Sequence, residues 1–225
     1  MKYIICILFG FTYIGATTHI VTKEFHIEKP VKSWIEFKND NLTRQDYDYS
    51  CGASSLATIM KYYYDQNVTE KVILDEILSS KGLNKDNMKD LEEKDMSLSF
   101  LDLSKYVETK KFKAIGLAID FDGLENLKIP VILYVKIRKN EHFTVFKGID
   151  EDYVYLADPS FGNTKVKISK FKEMFLQRDD DKYGGKILAI LPTQKIINSK
   201  NDFMNVKNSS NLVYDVIMSK ALKQH

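Results

Sequence analysis

The feature that most constrains the fold is a change of hydrophobic period close to Lys113. Before it, apolar residues recur at helical spacing. Ala53, Leu56, Ala57, Met60 and Tyr64 share one face of a helix that begins at Cys51, and Ile73, Leu74, Ile77 and Leu78 share one face of a second, spanning residues 69–80. Asn67 and Thr69 are candidate caps for that second helix, and Ser97 or Ser99 for a third that reaches Glu108 with Leu103, Tyr106 and Val107 inward. After Lys113 the period shortens, and β-prone runs occupy residues 113–119, 131–137, 143–149, 153–157, 165–168 and 187–191, divided by turn residues. Helices followed by strands predict an α+β domain in which helices pack on one side of a mainly antiparallel sheet. A short helix over 170–176 is expected between the last two strands, and the polar stretch 81–95 is expected to be loop.

A chain of 225 residues that is 44% hydrophobic is long enough for one substantial core. Its formal charge of +2 falls to about +1 without Lys2, because basic and acidic residues nearly cancel along the whole length. That balance leaves no electrostatic footprint for nucleic acid. The chain starts Met1-Lys2, continues almost wholly apolar from Tyr3 to Ile14, and then reads Gly15-Ala16-Thr17-Thr18, the pattern of a secretory signal peptide cleaved near Ala16. Its apolar run is about 12 residues, against the roughly 20 that a membrane helix needs, so no stable span is expected after cleavage. The expected location is periplasmic or secreted. Cys6 lies inside the apolar run and leaves with it, so Cys51 remains as the single thiol and no intramolecular disulfide can form. An exported protein that keeps one unpaired cysteine where thiols tend to be oxidised is keeping a reactive group for use.

Nucleophilic cysteine catalysis needs a thiolate, a base that takes and returns the proton, and donors for the oxyanion. Cys51 stands at a helix start, where exposed amides and the helix dipole favour a thiolate. A single cysteine is more often a small buried hydrophobe, but export and placement argue against that here. Of the four histidines, His19 and His26 fall in the arm before the domain and His225 ends the chain, leaving His142 at the start of a strand as the base. Its bland alternative is a strand-edge histidine bonded to a carbonyl. Asp158 ends the next strand, where antiparallel pairing can bring it beside His142; alone, Asp158-Pro159 reads as a turn opener. Gln45, six residues before Cys51, can aim a side-chain N–H at the oxyanion alongside the Cys51 amide, although spacing alone says little. No metal ligand set and no cofactor motif accompanies these residues.

The run Arg44-Gln45-Asp46-Tyr47-Asp48-Tyr49-Ser50-Cys51-Gly52-Ala53 resembles the nucleophile motif of the C39 peptidases, the papain-like double-glycine or bacteriocin-processing family. Residues 98–107, then Phe112-Lys113-Ala114, Ile129-Pro130-Val131-Ile132, His142-Phe143-Thr144-Val145 and Ala157-Asp158-Pro159 resemble that family's later segments in order, so that the likeness covers residues 42–192. The resemblance implies a papain-like fold and attack by Cys51 on a peptide bond, in that family after a Gly-Gly pair in a leader peptide. Family members are usually part of a transporter; this chain has no transmembrane array and no Gly-Lys-Ser/Thr phosphate loop, which implies a standalone exported form that uses no ATP. The expected organisation is a signal peptide over 1–16, an extended arm over 17–41, the peptidase domain over 42–195 and a tail over 196–225. Gly184-Gly185 in this chain raises the idea of self-cleavage, but its setting reads as a turn. Two other functions fit the same residues: a cysteine amidase or transpeptidase acting on cell-envelope peptides, and a non-enzymatic module that grips extended peptide.

Overall fold

The computed structural model describes residues 17–21, 26–30, 33–83, 96–177, 180, 183–195, 197 and 199–204. The expected signal peptide, most of the loop expected over 81–95 and the end of the tail lie outside these residues. Contacts divide the chain into two compact units, residues 1–38 and 39–225. In the first, β1 (Thr17–Val21) and β2 (His26–Pro30) pair antiparallel, and α1 (Trp34–Asn39) follows. Ser33 and Glu36 cap α1 reciprocally, each side chain accepting the other's backbone N–H. The arm expected to be extended is therefore a hairpin and a helix. Its alternation was hidden by scattered aromatic and charged residues, and the Ser33/Glu36 spacing was the signal for the helix.

The second unit is α+β. Helices α2 (Cys51–Thr58), α3 (Glu70–Ser80) and α4 (Phe100–Glu108) precede β3 (Phe112–Ile119). A π-helical turn, Ile59–Tyr63, prolongs α2. Then come α5 (Phe121–Glu125), β4 (Val131–Ile137), β5 (Asn140–Ile149), β6 (Tyr153–Asp158), β7 (Gly162–Lys167), α6 (Ile168–Phe175) and β8 (Gly185–Pro192). Thr69 caps α3 by accepting the Val72 N–H, and Ser99 with Asp102 forms a capping box on α4. Six strands join in the order β3-β8-β4-β5-β6-β7, every neighbouring pair antiparallel. Among the described residues no helix is long and apolar enough to cross a membrane.

Both faces of this sheet are covered, which corrects the expectation of helices on one side. One cluster joins α2, α3 and α4 to Ile132, Phe143, Val145, Leu188 and Ile190. The other joins Phe121 and Leu124 of α5 and Phe171 and Phe175 of α6 to Val131, Leu133, Val135, Ile187 and Ala189. The continuous apolar runs of β4 and β8 are the reason: a strand exposed on one face would alternate, and these do not. Helix α6 begins at Ile168, directly after β7, because Phe171 and Phe175 at a spacing of four place both rings on one helical face against the sheet.

Gly185 opens β8 under that aromatic pair. A Cβ built there would lie 2.1 Å from two ring carbons of Phe175, and one on Gly184 would crowd Leu176 and the Asp180 carbonyl at 3.1 Å. The glycine pair is thus a packing requirement of this chain's own core. Gly185→Ala is expected to destabilise the fold by about 3 kcal/mol, the upper range for overpacking, because a ring wedged against β4 and β8 has nowhere to retreat. Denaturant unfolding of the variant and the parent checks this value.

After β8 the chain returns to the sheet. A 3-10 turn, Asn201–Met204, buries Phe203 against Tyr63, while the Lys200 N–H donates to the Tyr63 carbonyl at 2.8 Å. The Lys147 ammonium of β5 lies over the Phe203 ring at 4.7 Å, and burial there holds the amine below its ordinary pKa of 10.5. Phe203 thereby ties the far end of the Cys51 helix to the His142 strand.

Candidate active site

Two features place Cys51. Helix α2 lies against β5 because Gly52 offers no Cβ: one built there would meet the Phe143 ring at 3.1 Å and Leu98 at 3.5 Å. Ser50 precedes the helix without capping it, because its hydroxyl donates to the Tyr47 carbonyl at 2.7 Å. The first amides of α2 therefore carry no cap from that side chain and stay available to an anion. The thiol itself is half-buried and unpaired.

His142 is the third residue of β5, and Val145 pairs with Ala157 of β6, so Asp158 falls diagonally across from the imidazole. Its Nε2 lies 3.1 Å and 3.0 Å from the two Asp158 carboxylate oxygens. Cys51 also acts on the imidazole and helps to raise its pKa. Both His142 and Asp158 are well covered, with side chains 12% and 3% exposed. Burial by itself would lower the His142 pKa from its ordinary 6.5. The bonds to Asp158 and Cys51, with their charges, outweigh burial and push it up to about 9. Burial likewise disfavours the Asp158 carboxylate, but the bond and charge of His142, the Phe161 amide and the Thr144 hydroxyl hold it below the usual 3.8.

Asp158 does two things at once. Its Oδ1 accepts the Ser160 and Phe161 amides at 2.9 and 3.0 Å, so it opens the turn that Asp-Pro suggests and faces His142 as well. The turn and the orienting role had been rivals in the sequence; here the turn fixes the carboxylate that meets the ring. Phe161 then covers the imidazole edge-on, centroids 6.3 Å apart.

Gln45 joins this group through Ser160, whose hydroxyl donates to Gln45 Oε1 at 2.7 Å. Gln45 Nε2 donates to the Tyr47 carbonyl at 2.9 Å. A carbonyl can only accept, so the amide orientation is fixed and one N–H of Nε2 remains for a further acceptor. The segment is pinned on several sides: Gln45 N–H to the Pro159 carbonyl at 3.2 Å, Arg44 to the Ser160 carbonyl, and Asp46 N–H to buried Glu70 at 3.0 Å. Ser160, Phe161 and Thr144 were missed by sequence reasoning. The Asp-Pro-Ser turn signal pointed at Ser160, whereas Phe161 and Thr144 left no local mark.

A cysteine at a helix start, facing a histidine and an aspartate on an antiparallel sheet, has the papain-like arrangement of a thiol hydrolase. The chain belongs to the peptidase C39 family, whose signature matches residues 39–178. It is 36% identical over 145 residues to the probable functional amyloid protease FapD of Pseudomonas fluorescens, and 33% identical over 146 residues to the protein of the same name from Pseudomonas aeruginosa. Each match covers 64% of this chain and 61% of the relative, so the chain spans under two thirds of these curated relatives. Among solved structures it is similar to the double glycine motif protease from an AMS/PCAT transporter in complex with the leader peptide. There the TM-score is 0.49 and the identity 25%, over 68% of this chain and 91% of that one. The peptidase domain of Streptococcus ComA gives a TM-score of 0.49 at 18% identity, over 67% and 97%.

Proposed function

We propose that the protein is an exported cysteine endopeptidase in which Cys51 is the nucleophile, His142 the base and then the acid, Asp158 the group that orients His142, and Gln45 an oxyanion donor. The observation that carries this reading is the His142 imidazole bonded to a buried carboxylate and raised in pKa by Asp158 and Cys51, the cysteine opening a helix without a side-chain cap. The Cys51 sulfur attacks the peptide carbonyl carbon, and the negative charge moves onto the oxygen, where the Cys51 N–H and the free N–H of Gln45 receive it. His142 gives its proton to the leaving amine as the C–N bond breaks, leaving a thioester. Water then attacks the thioester while His142 takes a proton, and the sulfur leaves as thiolate beside the renewed imidazolium.

The signal-peptide pattern supports export, and the relatives' names make an exported protein that assembles into amyloid the first substrate class to test. Such a substrate is met in the cell envelope as an extended segment, and a glycine pair before the cut is the first sequence to compare. The test is a comparison of exported proteins from cells carrying the parent or Cys51→Ala. New amino termini present with the parent and missing with the variant are expected; identical sets of termini would overturn the peptidase reading.

A further inference from the structure

The six-stranded sheet ends on two edge strands that are unlike each other. β7 carries Lys165 and Lys167, charges of the kind that discourage pairing with another chain. β3 has no charge from Ala114 to Ile119, and among the described residues no strand pairs with its outer side.

The backbone groups on that outer side can be named. The Lys111 carbonyl accepts the Thr193 N–H at 3.0 Å, one step beyond the Phe112 and Pro192 partners of the β3–β8 register. Bonded and non-bonded partners alternate along an antiparallel ladder. Lys113, Ile115 and Leu117 therefore turn their N–H and C=O groups to β8, and Ala114, Gly116 and Ala118 turn theirs outward. The Ile190 carbonyl, opposite Ala114, is accordingly taken by the Tyr64 hydroxyl at 2.6 Å.

The outward residues are all small. A Cβ built on Gly116 meets nothing within 4 Å, so packing inside this chain does not call for the glycine. A glycine in mid-strand is a place where another backbone can come close. On the other face of the strand Ile115 and Leu117 are 38% and 45% exposed, apolar side chains left in water beside an unpaired edge.

We propose that β3 is the interface with a second copy of this chain, the two β3 strands pairing antiparallel about a two-fold axis at Gly116. One register satisfies the whole edge. Gly116 stands opposite Gly116 of the partner subunit and Ala114 opposite the partner's Ala118, and each such pair exchanges two backbone bonds, so none of these N–H and C=O groups is left over. The same register sets Ile115 against the partner's Leu117 in the closely spaced positions, which gives both exposed side chains an apolar neighbour. Lys113 falls opposite the partner's Ile119, so the lysines stay apart. Centring the pair on Ile115 would set Leu117 against the partner's Lys113, and centring it on Leu117 would carry Ala114 past the end of the partner's strand. β8 and β4 stand between β3 and the His142 strand, and the proposal does not rest on the peptidase reading.

A single strand pair is a small contact, so a dissociation constant in the micromolar range is expected, and sedimentation velocity of the exported protein from about 1 to about 200 µM spans it. Leu117→Lys should weaken the dimer at least about tenfold, because the two-fold axis places the charge against Ile115 on both sides. Gly116→Pro removes an N–H that only the partner uses, so it should abolish the dimer while the circular dichroism spectrum stays that of the parent. Ile115→Glu together with Leu117→Lys should bring the dissociation constant back to within about tenfold of the parent's, since position 115 of one copy faces position 117 of the other. If Gly116→Pro does not fold, the charged variants carry the test. A parent that is monomeric at the highest concentration overturns the proposal, and so does one that stays monomeric until an extended apolar peptide is added, which would assign the edge to another partner. A dimer that Leu117→Lys leaves intact, or a paired-charge variant as weak as Leu117→Lys alone, overturns it as well.

Discussion

His142→Ala is expected to lower peptide turnover by at least about a thousandfold and to slow alkylation of Cys51 by iodoacetamide near neutral pH. In the proposed mechanism the imidazole has two tasks, stabilising the thiolate and protonating the leaving amine, and alanine performs neither. The pH profile of the parent should carry the mark of the same group. With its pKa pushed up to about 9, His142 keeps its proton well past the 6.5 of an ordinary histidine, so kcat/KM should hold through neutral pH and fall as pH rises through about 9. In His142→Ala that alkaline limb should vanish along with most of the rate. An equal alkylation rate for the two proteins across pH 5 to 8 would mean that the ring does not activate the sulfur.

What could be read from the sequence was whatever is carried by local period or by scarcity. Helix α3 follows from Ile73, Leu74, Ile77 and Leu78 with Thr69 as cap, and these residues are buried as the spacing requires. Cys51 and His142 stood out because the domain offers one thiol and one imidazole. The features that were not legible depend on contacts distant in sequence. The second core layer arises from Phe121 and Phe171 meeting on one face of the sheet, and neither short helix announces its partner. Ser160 joins Gln45 to Asp158 over more than a hundred residues of chain, through a hydroxyl that could equally have faced water. Arg138 showed nothing unusual as a letter; its left-handed backbone exists only in the folded hairpin.

Gln45 and Asp158 should be separable in kind. In the proposed mechanism Gln45 offers its free N–H to a carbonyl oxygen as that oxygen becomes negative, so Gln45→Ala should cut kcat about a hundredfold while Cys51 alkylation and peptide binding stay close to those of the parent. Its link to the triad should not spoil this contrast, because Ser160 holds Asp158 through a backbone amide that the turn keeps in place. Asp158→Asn keeps an oxygen for the Ser160 and Phe161 amides, so the turn should survive. What changes is the bond to His142: an amide N–H in place of a carboxylate oxygen forces Nε2 to accept, puts the proton on Nδ1, and removes the charge that supports the imidazolium. The alkaline limb should then move from about 9 toward 6.5, and alkylation should shift with it. Stability follows the same linkage. A histidine pKa raised in the fold contributes fully below 6.5 and loses that contribution as pH rises through about 9; an aspartate pKa lowered in the fold contributes above 3.8 and loses it as pH falls through the depressed value. The melting temperatures of the parent and Asp158→Asn should therefore differ most between about pH 4 and 6.5 and converge toward pH 9 and above. If Gln45→Ala moves the alkylation profile as far as Asp158→Asn does, or if neither substitution slows turnover of a true substrate, the two roles are misassigned even where Cys51 and His142 stand.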